Sequence, residues 1–125
     1  MRLLVASSTI VVAVAAALVL VVAAPARLAK DTFDLKGEVY ATGFRIEMTT
    51  KSDKKVTSVK AGTYRIKVED QATGHNFRLR GPGVNKATSV PKTAEVIWTV
   101  KLAKGTYTFQ CDAHASSMHG TFRVT

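Results

Sequence analysis

The chain has 125 residues, a formal net charge of +9 and a single cysteine, with 46% hydrophobic and 22% charged residues. That length accommodates one domain and little else, and one cysteine excludes an internal disulfide. The positive balance fits nucleic acid, anionic lipid or an acidic protein partner, and charge alone does not choose among them.

The N-terminus narrows the choice. Met1-Arg-Leu-Leu precedes an apolar run from Val5 to Ala24, broken only by Ser7, Ser8 and Thr9. Ala24-Pro25-Ala26 has the small-x-small pattern of a signal-peptidase site, so residues 1–26 are expected to form a signal peptide with Arg27 first in the mature chain. The run is also long enough to span a bilayer, which leaves an uncleaved membrane anchor as the alternative. Either outcome places the domain outside the cytoplasm, in a periplasm, in the medium or on the outer membrane face. No cysteine stands just after the run, so a lipoprotein anchor is excluded. An exported domain is not expected to meet nucleic acid, and it meets the membrane only through a retained leader. Its lysines are scattered, and even the densest group (Lys51, Lys54, Lys55) is interrupted by Ser52 and Asp53. The plain reading is a soluble basic surface; the sharper one is an acidic protein partner.

From Asp31 onward the pattern has period two, with turn residues recurring about every eight to twelve positions, which signals an antiparallel sandwich or barrel. Strands are expected over 33–40 and 44–48, the second with Phe44, Ile46 and Met48 facing inward. Lys51 to Lys55 reads as a solvated turn and 56–59 as a short strand. Along 63–69, Tyr64, Ile66 and Val68 face the core. After the loop Asp70 to Gly74, a strand over 75–79 puts His75 on one face with Phe77 and Leu79. Gly81-Pro-Gly83 reads as a tight turn, since no phosphate-loop spacing or helix follows it, and Lys86 to Pro91 as a connection. The segment 95–102 carries Val96, Trp98, Val100 and Leu102 on one face, and 106–111 carries Tyr107, Phe109 and Cys111. A last strand over 119–124 turns Phe122 and Val124 inward. Seven or eight strands with this core inventory fit an all-β Greek-key sandwich over residues 31–125. No helical period or internal repeat follows the leader.

Chemistry concentrates near the C-terminus. Cys111, His114 and Met118 fall within eight residues as Cys-x-x-His-x-x-x-Met. A thiolate, an imidazole and a thioether together favour a soft or borderline metal, above all copper. Two inward rows, one ending in Cys111 and one beginning with His75, can meet at one pole of the sandwich. The product is the trigonal His2Cys set of a mononuclear blue-copper site, with Met118 as a weak axial partner. Zinc also accepts His2Cys, but a structural zinc site usually wants a fourth strong ligand. His119, next to Met118 on an extended strand, points the other way and reads as a surface histidine. Met48 and Trp98 read as core.

The residues Gly74-His-Asn-Phe77, Gly105-Thr-Tyr-Thr-Phe-Gln-Cys111 and Cys111-x-x-His114-x-x-x-Met118-x-Gly120 resemble the cupredoxins, the plastocyanin-like blue copper proteins. The resemblance covers about Phe33 to Thr125. It implies an eight-stranded sandwich, one mononuclear type 1 copper ion held by His75, Cys111, His114 and Met118, and one-electron transfer between proteins. It also implies that Asn76 ties the two ligand loops together by a hydrogen bond. The His-to-Met gap is one residue shorter than in plastocyanins, and Asp112 stands where many members carry Thr or Ser. The Asp112 carboxylate can still accept from the Asn76 amide, and such contacts behind the ligands orient them and tune the metal.

These features predict a monomeric electron carrier with redox protein partners and no catalytic residues. A copper carrier or store, handing over the ion instead of an electron, uses the same ligands. Its ligands would be exposed and flexible, whereas Cys111 ends an inward aromatic row. An enzyme using a Cys111 nucleophile with a histidine base lacks a readable oxyanion device. Three histidines are too few for the second copper cluster of a multicopper oxidase.

Overall fold

The computed structural model describes residues 32–125; the expected leader, residues 1–26, lies outside them. Nine strands run in chain order: β1 Leu35–Val39, β2 Ile46–Thr50, β3 Ser58–Val59, β4 Gly62–Asp70, β5 Arg78–Gly81, β6 Val84–Ala87, β7 Ala94–Leu102, β8 Gly105–Gln110 and β9 His119–Val124. They form a four-stranded sheet in the order β2-β1-β4-β7 and a five-stranded sheet in the order β3-β9-β8-β5-β6. The molecule is the expected all-β sandwich.

Period-two patterning explains which residues face inward. On β4, Ile66 and Val68 are buried while Arg65, Lys67 and Glu69 alternate with them, and the register sets Ile66 against Trp98 and Val68 against Val96 on β7. In the second sheet Tyr107, Phe109 and Phe122 are buried, and Phe77 stacks on Phe109 with centroids 6.1 Å apart. Two glycines make room for these rings. A Cβ on Gly37 would stand 2.4 Å from Phe77 Cζ, and one on Gly120 would stand 2.3 Å from Phe109 Cζ.

Several expectations need correction. The sheets are mixed, because β1 pairs with β4 and β3 with β9 in parallel. Alternation reports which face a residue takes, not the direction of its neighbour. A ninth strand arises because Gly81-Pro82-Gly83 closes a hairpin, turning Val84–Ala87 back against β5. The connection expected at Lys86 to Pro91 therefore starts later. Phe44 lies before β2, not on it, and is 64% exposed instead of facing the core. The chain bends at 41–44, so the alternation that correctly buries Met48 does not extend back past Ile46. His75 precedes β5 instead of opening a strand, and a short 3-10 turn spans Asp112–His114. Trp98 is half-buried at the core edge, with Lys86 Nζ 5.9 Å from its ring centre.

Strand polarity defines the poles. β4 ends at Asp70, β8 at Gln110 and β2 begins at Ile46 on one pole, where the loops 41–45, 71–77 and 111–118 gather. Gly62, Leu102, Gly105 and Val124 mark the other.

Candidate metal centre

Cys111 follows β8 directly and is fully buried. Its amide donates to the Met118 carbonyl at 3.0 Å, which closes the loop 111–118. Within that loop the His114 amide donates to the Cys111 carbonyl at 3.2 Å and the Met118 amide to the His114 carbonyl at 2.8 Å. The 3-10 turn thus folds His114 back over the cysteine. His75 arrives from the loop after β4, anchored two residues on, where the Phe77 amide donates to Thr88 Oγ1 at 2.9 Å.

The three side chains converge. His75 Nδ1 and His114 Nδ1 are 2.9 Å apart, and Cys111 Sγ lies 3.7 Å from each. Metal bonds to nitrogen and sulfur run about 2.0–2.3 Å, so two donors on one ion lie no more than about 4 Å apart. All three separations satisfy that limit, and the donor set is two imidazoles and one thiol. No carboxylate or further histidine among the described residues joins the group. The residues fit a single soft or borderline ion better than a four-coordinate structural zinc. Met118, 1% exposed, sits at the base of the same loop. His119 is exposed on β9 and takes no part.

A polar network backs the cluster. Asn76, 2% exposed, donates from Nδ2 to Asp112 Oδ2 at 2.8 Å and to the Thr88 carbonyl at 3.1 Å, and its Oδ1 accepts from the Asp112 amide at 2.7 Å. Arg78 grips the same carboxylate in a fork, Nε to Oδ1 at 2.7 Å and Nη2 to Oδ2 at 2.8 Å. Arg78 first, and Asn76 after it, hold the Asp112 carboxyl down at about 2. Behind them Thr88 Oγ1 donates to the buried Asp70 at 2.6 Å. Burial pushes the Asp70 carboxyl up, against those hydrogen bonds.

Of the expected site residues, the structure brings together His75, Cys111 and His114 and ties Asn76 to Asp112 behind them, and it places Met118 at the end of the same loop. Sequence reasoning missed Phe44, whose ring meets His114 edge-on at 4.8 Å and His75 at 5.6 Å between centroids. It also missed Arg78, Thr88 and Asp70. Alternation marks Arg78 as outward, but only the register Arg78↔Gln110 brings it beside Asp112.

The structure is a two-sheet β-sandwich that gathers two imidazole nitrogens and one thiol at a single pole, a donor set suited to a soft or borderline metal ion. Residues 10–124 match the family described as the cupredoxin-like domain, and the chain belongs to that family. No curated protein matches the chain by sequence. Family and cluster together point to copper as the ion at His75, Cys111 and His114.

Proposed function

We propose that this domain holds one mononuclear type 1 copper ion and carries single electrons between redox protein partners. The observation that carries the reading is the convergence of both Nδ1 atoms on the fully buried Cys111 Sγ. His75, Cys111 and His114 would hold the ion as its strong ligands, and Met118 would add a weak thioether one. Bound copper would alternate between Cu(I) and Cu(II). The chain's own part is to hold the three donors still, through the Asn76–Asp112 tie and the closed 111–118 loop, so that little has to move when the charge changes.

Electrons leave through His114. Its ring is half-buried between exposed Ala113 and Ala115, whose small side chains let a partner approach closely. The domain works as a monomer outside the cytoplasm, after export by its leader. Delivery of the ion is the weaker reading, because a carrier needs a cysteine that an acceptor protein can reach, and Cys111 has no exposed surface. Enzymatic use of Cys111 is disfavoured because both histidines already aim their nitrogens at one point with it.

The test is direct. Cu(II) added to the purified domain should give an intense visible thiolate-to-copper band, and Cys111→Ser should lose it while keeping the fold. A colourless, weakly bound adduct in the parent protein rejects the blue-copper assignment. Rapid loss of the ion to a chelator would favour delivery.

A further inference from the structure

Positive charge is not spread evenly over the sandwich. Every ion pair among the described residues uses Lys36, Arg45, Lys67 or Arg78 as its cation. The remaining lysines include Lys51, Lys54, Lys60, Lys101 and Lys104, all exposed. Lys60, Lys101 and Lys104 gather at the pole opposite the metal cluster. Lys51 and Lys54 stand nearer mid-height, since they follow β2, whose end Thr50 pairs with Leu35 beside Ile66 of β4, and Asp53 between them pairs with Lys36. Lys60 and Lys104 flank the turns next to Gly62 and Gly105, and Lys101 sits one residue before the end of β7. The Ala61 amide donates to the Thr125 carbonyl at 2.8 Å, so the ends of both sheets meet there. Acidic residues are absent from 54–68, 96–111 and 113–125. Toward the cluster pole, by contrast, Glu38 faces Glu47 and Glu69 faces Glu95, with Lys36, Arg45 and Lys67 paired to them.

A second observation coincides with the first. The Asp34 amide donates to the Arg65 carbonyl at 2.8 Å and Asp34 Oδ2 accepts from the Arg65 amide at 2.8 Å, so the chain reaches β1 along the lysine-bearing end of β4. The apolar run ends at Ala24, eight residues before Thr32. Eight residues span at most about 28 Å, so a leader held in a bilayer keeps this pole close to the surface.

We propose that the lysine pole docks the domain on an anionic bilayer surface and turns the metal pole toward the aqueous side. Anionic lipid supplies the negative partner that these side chains lack, and the attraction acts within a Debye length of the membrane. The proposal does not depend on what the metal cluster binds, because docking uses the opposite pole and can be measured without metal.

The strands and the buried core lie within Leu35–Val124, so the chain from Arg27 onward carries its own fold and suits the experiment. It is mixed with vesicles of phosphatidylcholine alone, or with about a third phosphatidylglycerol, and sedimented. Binding is expected only with the anionic vesicles at about 0.05 M salt, with release at about 0.5 M. Lys60→Glu with Lys104→Glu should weaken binding at least about tenfold. Arg45→Glu with Lys92→Glu makes the same change in net charge near the cluster pole and should alter binding less than about threefold. Equal loss in the two double variants would reduce the effect to net charge and overturn the proposal. So would equal binding to neutral vesicles, or retention by polyglutamate with no vesicle binding, which would assign the pole to an acidic protein.

Discussion

Asn76 and Asp112 exchange two hydrogen bonds, side-chain amide to carboxylate at 2.8 Å and backbone amide to side-chain carbonyl at 2.7 Å. The pair joins the loop carrying His75 to the loop carrying Cys111 and His114, across 36 residues of sequence. A one-point contact would leave the loops free to pivot. Two bonds in opposite directions fix both separation and orientation, and Arg78 then locks the carboxylate from its other side.

The Arg78 fork alters what the Asp112 charge does. A bare carboxylate beside a ligand thiolate favours the more positive, oxidised copper, so Asp112→Asn is expected to raise the reduction potential. Since Arg78 offsets that carboxylate, removing the arginine acts with the opposite sign. Arg78→Gln should lower the potential, and each change should be on the order of tens of millivolts. Voltammetry of the two variants decides it. Shifts of the same sign would mean that loosened loops outweigh charge.

Asp70 predicts a pH effect in the metal-free domain. It is 2% exposed, and burial raises its pKa although Thr88, the Ala72 amide and the charge of nearby His75 work the other way. An acid with a raised folded pKa holds its proton more tightly folded than unfolded. Its contribution to stability therefore falls as pH rises from about 3.9, the usual unfolded value, through the higher folded value. Asp112 contributes the opposite slope at lower pH, because its pKa is depressed to about 2. The informative quantity is the difference between parent and Asp70→Asn in urea midpoint from about pH 4 to 7. The variant should gain on the parent as pH rises. A gain by the parent instead would show that the hydrogen bonds outweigh burial.

Much of the fold was legible because period-two burial is a local property. Ile66, Val68, Tyr107, Phe109, Phe122 and Val124 all face the core, as alternation requires. The site was legible for a different reason: Cys111, His114 and Met118 lie close in sequence, and few residue types besides histidine can complete a soft-metal set. What alternation misses is any relationship that depends on pairing. The parallel β1–β4 register, the place of Arg78 beside Asp112 and the buried Thr88–Asp70 bond all join distant segments. Phe44 was misplaced because the bend at 41–44 resets the phase, and nothing in Phe44-Arg-Ile46 marks where the strand begins.

Gly37 links the first sheet to the site. The Phe77 ring stands over its Cα, where a Cβ would lie 2.4 Å from Cζ, and Phe77 is fully buried two residues after His75. Gly37→Ala must displace that ring from its stack on Phe109, at a cost of about 1–3 kcal/mol. For a domain of this size, Tm should fall about 4–8 °C per kcal/mol, and the visible band of the copper form should weaken as His75 shifts. Gly74→Ala is the control, since its Cβ would meet nothing within 4 Å and should change stability by less than about 0.5 kcal/mol. Similar losses in both variants would separate the effect from Phe77.

Phe44 is the remaining unexplained contact with the cluster, and its exposure sets what it can contribute. A buried Phe→Ala costs about 3–5 kcal/mol, but a ring that is 64% exposed buries too little area for that. Its ring packs at 74° to His114 and 63° to His75, edge contacts of a kind worth about 0.5–1.5 kcal/mol. Phe44 therefore acts as a cover that steadies the two imidazoles and screens them from water, with little part in holding the sandwich. Phe44→Ala should cost no more than about 1 kcal/mol in urea unfolding of the metal-free domain. In stopped-flow mixing it should take up Cu(II) several-fold faster than the parent, and its visible band should respond to added azide where the parent's does not. Phe44→Leu keeps apolar bulk without a ring edge and should fall between the two. A core-sized loss of stability with unchanged metal uptake would make Phe44 a packing residue instead.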